Sequence, residues 1–390
     1  MYTFSFFESW GGIGGGHRYF EEIMLLFKNN SIICFNKEAF KKIYIKKKFP
    51  KNKIIIFNSF NLGKKLSIKI PYFNFFIRKI TLFTVPFIFI LNIIRFLILL
   101  RLNSAKLVLS FNGGYPGSYS SLSLSVAAYL LNIKNILFVL STPLERNKYY
   151  FVIQFFIDLI ISKVVTKVVV NSKFQKKEII LRRGFDKKKI IIIYNRTKII
   201  NKDISNIRKK NYCIGIVSRL EKSKGIDKII RALYLLNANL KINFYLFIAG
   251  LGNDRSRLNN IVKEHKLEKN VKFYNFVDEN KLILFYKKFQ FFIFPSNWEG
   301  FPYSILDAMS YGKVIISSNV GGISEAIRHN KDGILIKDIN EKKIFNVLKK
   351  IYSKPKYLKK LSKSAKFRSN NLFSARLSLS NFKKDIKLNF

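Results

Sequence analysis

The chain is poor in acid, cysteine and histidine. It has 23 Asp and Glu against 71 Lys and Arg, with two cysteines and three histidines in 390 residues. Cys34 and Cys213 lie far apart and at no ligand-like spacing, which argues against a disulfide framework or a zinc site and suits a reducing cytosol. His17, His265 and His329 fall at no metal-ligand spacing either, so no metal is expected. There is no G-x-x-x-x-G-K-[ST], which disfavours a P-loop NTPase. There is no G-x-G-x-x-G followed by a ribose-binding acid, which disfavours a nicotinamide enzyme. The opening "MYTFSFFESWGG" has no basic n-region, so no signal peptide is expected.

What is abundant is positive charge, a formal +48, together with 48% hydrophobic and 15% aromatic residues. The Lys excess travels with Ile, Asn and Phe, as AT-rich coding produces. A basic surface still attracts nucleic acid, phosphate-bearing substrates and anionic lipid, the last at about 1 kcal/mol per nearby Lys or Arg. A nucleic-acid-binding reading has no second support, since no helix-turn-helix, RNA-binding aromatic pair or zinc module is visible. A length of 390 residues is too great for one ordinary core and implies two domains.

In the second half, "NYCIGIVS", "FYLFIAG", "VKFYNFV", "FFIFPS" and "KVIISS" read as strands. They alternate with helical stretches such as "GIDKIIRALYLL", "DRSRLNNIVKEH" and "PYSILDAMSYG". That alternation means βαβ units, a parallel sheet, and ligands held outside the carboxyl ends of the strands. The first half repeats the scheme through "IIIFNSF", "AKLVLSFNGG", "NILFVLSTP", "KVVVNS" and "KIIIIYN", most of which run into polar residues expected to face ligand. The expected fold is α/β, with a first domain over 1–200, a polar connector at 195–211, a second domain over 211–370, and a basic tail 371–390 that packs back on the first domain. The apolar stretch 80–102 is interrupted by Pro86, Asn92 and Arg95 and falls short of the roughly 20 apolar residues of a spanning helix. It reads as a buried helix or as an interfacial one flanked by Arg78, Lys79, Arg95 and Arg101, with a true membrane span the remaining alternative.

Three constellations carry chemistry. In "SRLEKSKGIDKII", Arg219 follows a strand and Lys224 precedes Gly225 at a helix start, an arrangement suited to a diphosphate or to a solvated basic loop. In "FFIFPSNWEGFPYSILDAMSYG", Glu299 sits at a strand's carboxyl end, Pro302 falls in the first turn of the next helix and Asp307 lies within it; Glu299 either binds sugar hydroxyls or caps the helix. The glycine runs "GGIGGGHRYF" and "FNGGYPGSYSS" let backbone approach a phosphate or sugar. His17 at the start of the first of these helices reads as a capping or surface histidine.

Taken in order, "VSRLEKSKGIDKIIRAL", "FIAGLGNDRSRL", "FFIFPSNWEGFPYSILDAMSYGKVIISSNVGGISEAI" and "KDGILI" resemble the sequence blocks of the family 4 retaining glycosyltransferases, glycosyl transferases group 1. The resemblance implies two Rossmann-like, doubly wound domains facing across a cleft, the GT-B type. It implies Arg219, Lys224 and Glu299 as catalytic, the cations neutralising a departing diphosphate and Glu299 holding the sugar. Gly15, Gly16, Gly300, Phe301, Pro302, Ser304 and Asp307 would bind the donor, Asp307 standing where the family usually has Glu. Asn112, Gly113, Gly114 and Tyr115 match an acceptor-side block. Ser141, Thr142 and Arg146 occupy a loop where many members carry a histidine. Asn195 matches an asparagine before the linker, with Arg196 in place of the usual glycine.

The implied reaction is a metal-independent, retaining, hexosyltransferase-type transfer from a nucleotide-diphosphate sugar, with no bound cofactor. The absence of a D-x-D triad agrees. The acceptor expected is a lipid-linked or cell-surface glycan, in polysaccharide or lipopolysaccharide biosynthesis, with the enzyme peripheral on the cytoplasmic face of an anionic membrane. A soluble transferase of the same family acting on a small acceptor is the alternative.

Overall fold

The structure is a computed structural model. It describes residues 2–8, 14–27, 31–36, 42–58, 71–113, 115, 118–141, 151–199, 212–240, 242–275 and 279–374. The chain divides into two units, Met1–Ile193 and Tyr194–Phe390.

In the first unit the strands are β1 (Tyr2–Glu8), β2 (Ser31–Asn36), β3 (Lys53–Phe57), β4 (Ala105–Asn112), β5 (Lys134–Val139), β6 (Lys167–Val170) and β7 (Ile190–Ile192). They pair in parallel in the order β3-β2-β1-β4-β5-β6-β7. The second unit holds β8 (Tyr212–Val217), β9 (Phe244–Ala249), β10 (Val271–Tyr274), β11 (Phe291–Phe294), β12 (Val314–Ser318) and β13 (Ile334–Ile336), also parallel, in the order β10-β9-β8-β11-β12-β13. Both sheets step outward from a central strand, return across it and continue the other way, which is the Rossmann walk. Helices cover both faces of such sheets, so the strands are apolar almost throughout, as "FFIF" and "YCIGIV" are.

Strands β1, β2 and β13 lie outside the sequence expectations. In "YTFSFFE", Thr3 and Ser5 alternate with phenylalanines. In the sheet both polar residues are buried, and Ser5 Oγ donates to the Ile32 carbonyl at 3.1 Å. The unit boundary also falls earlier than 200. Residues Tyr194–Thr197 belong to the second unit, and so do Phe373 and Ser374 at the start of the tail: Thr197 N donates to Phe373 O at 2.8 Å and the Tyr194 ring packs on Phe373. Residues 200–211 and 375–390 lie outside the described residues.

The stretch 80–102 is part of one helix, Pro71–Leu102, that leads from β3 to β4. Asn92, Phe96 and Leu100 are buried, and Phe96 stacks on Phe57 with ring centroids 4.3 Å apart. The opposite face stays open: Phe87, Ile90, Ile94, Ile98 and Leu102 are 49–76% exposed. The helix is therefore half core and half apolar surface, and the wholly buried reading is corrected.

One buried acid stitches the end of the second unit. Asp332 is fully buried. Its carboxylate accepts from Arg328 Nε and Nη2 at 2.6 and 2.9 Å and from Ser364 Oγ at 2.7 Å, tying the turn before β13 to the helix Pro355–Leu372. Burial alone would raise its pKa; the donors from Arg328 and Ser364 outweigh burial and hold it below the ordinary carboxylate value. A depressed folded value means the stabilisation is present at neutral pH and is lost as pH falls through that value. Asp332→Asn is expected to destabilise the protein by about 2 kcal/mol at neutral pH. The loss should shrink in melts run progressively toward acid.

Candidate functional site

Four loops leave the carboxyl ends of β8, β9, β11 and β12, and the backbone knits them together. Leu220 N donates to Leu251 O at 2.9 Å, Asn297 N to Ser223 O at 2.8 Å, and Gly322 N to Gly300 O at 2.9 Å. Approach this close needs glycine at two points. Gly225 has φ 64°, and a Cβ there would lie 2.5 Å from the Pro295 carbonyl oxygen. Gly321 has φ 55°, and its Cβ would lie 1.8 Å from the Glu299 carbonyl oxygen.

This packing brings Lys224 and Glu299 together across 75 residues of sequence: Nζ donates to Oε1 at 2.5 Å. Both side chains are only 13% exposed. Lys224 ends a short turn, Lys222–Lys224, before the helix Ile226–Asn239, and Glu299 stands in the loop before the helix Tyr303–Ser310. The capping role considered for Glu299 is not seen: Pro302 itself is the residue before that helix, in extended conformation, and no side chain caps it. Arg219, on the loop leaving β8, is 56% exposed and pairs with Glu221 at 2.6 Å. A surface pair of this kind contributes about 0–1 kcal/mol, so its guanidinium is readily redirected to an anion.

Behind the Glu299 loop lies support that the sequence did not reveal. Phe301 is buried against the rings of Tyr194 and Phe373, and its carbonyl accepts from Asn195 Nδ2. Thr197 Oγ1 donates to Asp307 Oδ1 at 2.8 Å. Asp307 is 8% exposed, so at least one of its oxygens serves as a tie to the segment entering the unit. Gly300, Pro302 and Ser304 are half-buried, and the Ser304 carbonyl accepts from Tyr286 at 3.2 Å. No sequence pattern marks Thr197 or Tyr194 as part of the site; they enter it through chain return.

In the first unit, Gly15 and Gly16 open the helix Gly15–Met24; Gly15 is exposed and Gly16 half-buried. His17 caps from within: it is 3% exposed, packs on Phe7 and accepts from Gly14 N at 3.3 Å, so the surface alternative is corrected. Asn112 and Tyr115, expected on the acceptor side, are both buried and engaged. Asn112 Nδ2 donates to Ser121 Oγ at 3.0 Å. Tyr115 donates to Asp158 Oδ1 at 2.6 Å, and Asp158 pairs with buried Arg183 at 3.2 Å. Strand-end polar residues here hold loops in place, because a buried loop must satisfy its own donors and acceptors. Gly113 is exposed and Ser141 half-buried; Gly114, Thr142 and Arg146 lie outside the described residues. An acid missed in the sequence is Glu8, which ends β1. It is buried and accepts from Ser120 N at 3.1 Å and Ser121 N at 3.2 Å, at the start of the helix Tyr119–Leu130. Among the described residues no group of His, Cys, Asp or Glu is placed to hold a metal ion.

The family described as glycosyl transferases group 1 matches residues 197–368. An uncharacterized glycosyltransferase of Methanocaldococcus jannaschii is 30% identical over 226 residues, covering 57% of this chain and 56% of that protein. The N-acetylgalactosamine-N,N'-diacetylbacillosaminyl-diphospho-undecaprenol 4-alpha-N-acetylgalactosaminyltransferase of Campylobacter jejuni is 28% identical over 230 residues, covering 58% of this chain and 61% of that protein. The matches thus span little more than half of these relatives. The crystal structure of Anabaena HepE in complex with UDP and glucose superposes with a TM-score of 0.75 at 16% identity, covering 99% of both chains, which shows a shared two-domain fold.

Gly321→Ala is expected to destabilise the protein by at least about 2 kcal/mol, through positive φ and collision with the Glu299 carbonyl. Thermal melting measures it. Tyr115→Phe is expected to lower stability by about 1–2 kcal/mol, because Asp158 loses a buried donor. An unchanged melting temperature would mean that the Tyr115–Asp158 bond contributes little to stability.

Proposed function

We propose, from the premise that residues 197–368 belong to the glycosyl transferases group 1 family, that the protein moves a sugar from a nucleotide-diphosphate donor to a lipid-linked or surface glycan. The observation that carries the reading is the Lys224–Glu299 pair, at the carboxyl ends of the adjacent strands β8 and β11. Strand order reverses between these two strands, which is where doubly wound sheets bind nucleotides.

In this proposal the donor diphosphate lies against Arg219, Lys224 and the exposed backbone of the loops. Lys224 and Arg219 take up the negative charge that grows on the leaving group as the sugar bond breaks. Their work there replaces that of a divalent cation. Glu299 holds Lys224 aimed before donor arrives and accepts hydrogen bonds from the sugar's hydroxyls. The acceptor hydroxyl attacks from the face that the diphosphate leaves, its proton passing to the departing phosphate oxygen, so the anomeric configuration is retained. Asp307 acts first through Thr197, steadying the helix after the sugar loop, and the ribose meets whatever capacity its carboxylate has left.

HepE was crystallised with UDP and glucose, and the Campylobacter relative is named for a diphospho-undecaprenol acceptor. The first supports a nucleotide-sugar donor and the second a lipid-linked glycan acceptor. The shortage of cysteine suits work at the cytoplasmic face.

A panel of nucleotide sugars screened for binding and slow hydrolysis identifies the donor; no binding by any member would overturn the reading. With the donor in hand, Lys224→Ala and Glu299→Gln are each expected to lower turnover by about a hundredfold or more, and Arg219→Ala by a comparable factor. Melting curves verify that the variants remain folded. Proton NMR of the product reads the anomeric configuration directly.

A further inference from the structure

We propose that the outward faces of the helices Pro71–Leu102 and Phe151–Val164 form one surface that docks on an anionic lipid bilayer. The inference stands on burial and charge and does not depend on the transferase reading. On Phe151–Val164 the exposed apolar residues are Phe151, Val152, Phe155, Phe156, Leu159 and Ile160, each 41–63% exposed. They fall in two adjacent rows at a spacing of four, which makes a broad apolar face rather than scattered surface residues. On Pro71–Leu102 a second row, from Phe87 to Leu102, repeats at spacings of three and four.

The two faces belong together. The helix Tyr119–Leu130 packs against both and is buried almost all round, its small Ser and Ala residues allowing close approach. Ser123 Oγ donates to the Phe89 carbonyl at 3.1 Å, and Phe89 shares a core cluster with Ile157 and Ile161. The two long helices therefore flank it, with their apolar sides turned out.

Charge selects the occupant. Between Pro71 and Ser172 the sequence holds only two acids, Glu145 and Asp158, and Asp158 is buried against Arg183. The helix ends carry cations: Arg101 and Lys163 are exposed, and Lys189 Nζ donates to the Ser162 and Lys163 carbonyls. Two copies of a +48 chain meeting through this face would bring like charges together, whereas an anionic bilayer supplies both the apolar phase and the counter-charge. Each helix is held from beneath, by Phe96 and Leu100 on one and by Ile157 and Ile161 on the other. With their inner sides held in the core, these outward faces lie in the interface.

The test is flotation of the full chain with vesicles of phosphatidylcholine alone or mixed with phosphatidylglycerol. The wild type is expected to float with the anionic vesicles and much less with the neutral ones, and added salt should weaken binding. Two double variants, Phe155→Glu with Phe156→Glu and Ile94→Glu with Ile98→Glu, are each expected to bind anionic vesicles about tenfold or more weaker. These positions are exposed, so melting temperature and nucleotide-sugar hydrolysis stay at wild-type values; failure of the transferase reading would show in hydrolysis alone. Wild-type-like flotation of both double variants would sink the proposal. So would a dimer in sedimentation velocity that both double variants dissolve, with no vesicle binding by the wild type; a second copy would then be the occupant.

Discussion

Lys224 and Glu299 meet because β8 and β11 are neighbours in a parallel sheet whose order reverses between them. All parallel strands deliver their loops to one edge. At the reversal, the loops leave in opposite directions and their bases remain close. An acid and a cation separated by 75 residues thus share one hydrogen bond in a place with little water. The pair holds a cation ready without leaving it unpaired, which a partly buried ammonium could not tolerate.

The pair is only as well placed as the loops behind it. Glycines 225 and 321 let backbone pass within van der Waals reach of Pro295 and Glu299. Tyr194, Asn195 and Thr197 return from the end of the first unit to pack under the Glu299 loop, and Phe373 closes from the other terminus. What looks in sequence like a polar connector therefore begins as part of the site's foundation. The physical reason is satisfaction: the Phe301 carbonyl and the Asp307 carboxylate are buried and need donors, which Asn195 and Thr197 supply.

The first unit divides its polar residues differently. Its strand-end Asn112 and Glu8 are turned inward to hold a helix start, and its buried Asp158 is met by Arg183 and Tyr115. Its apolar excess goes outward instead, onto two helices that already fill the core with their other sides. A chain with so few acids has little means of covering such a face by pairing with itself.

Much of the second unit was legible beforehand. Short apolar runs alternating with amphipathic stretches specify parallel βαβ units, and the loops after β8 and β11 carry recognisable cations, glycines and an acid. The first unit was less legible. The polar alternation in β1 gives no sign of its burial, and only the packed fold, with every residue from Thr3 to Glu8 buried, shows that both its faces are covered. Likewise "NGGYPG" is equally compatible with a ligand loop and with a buried tyrosine. Sequence by itself determined element type, the parallel class of the sheets and the identity of the charged groups, because these follow from local periodicity and side-chain chemistry. Tertiary structure alone decided which polar residues turn inward, which segment braces Glu299 and which side of a long apolar helix meets water, because burial is a property of what packs against a residue and not of the residue.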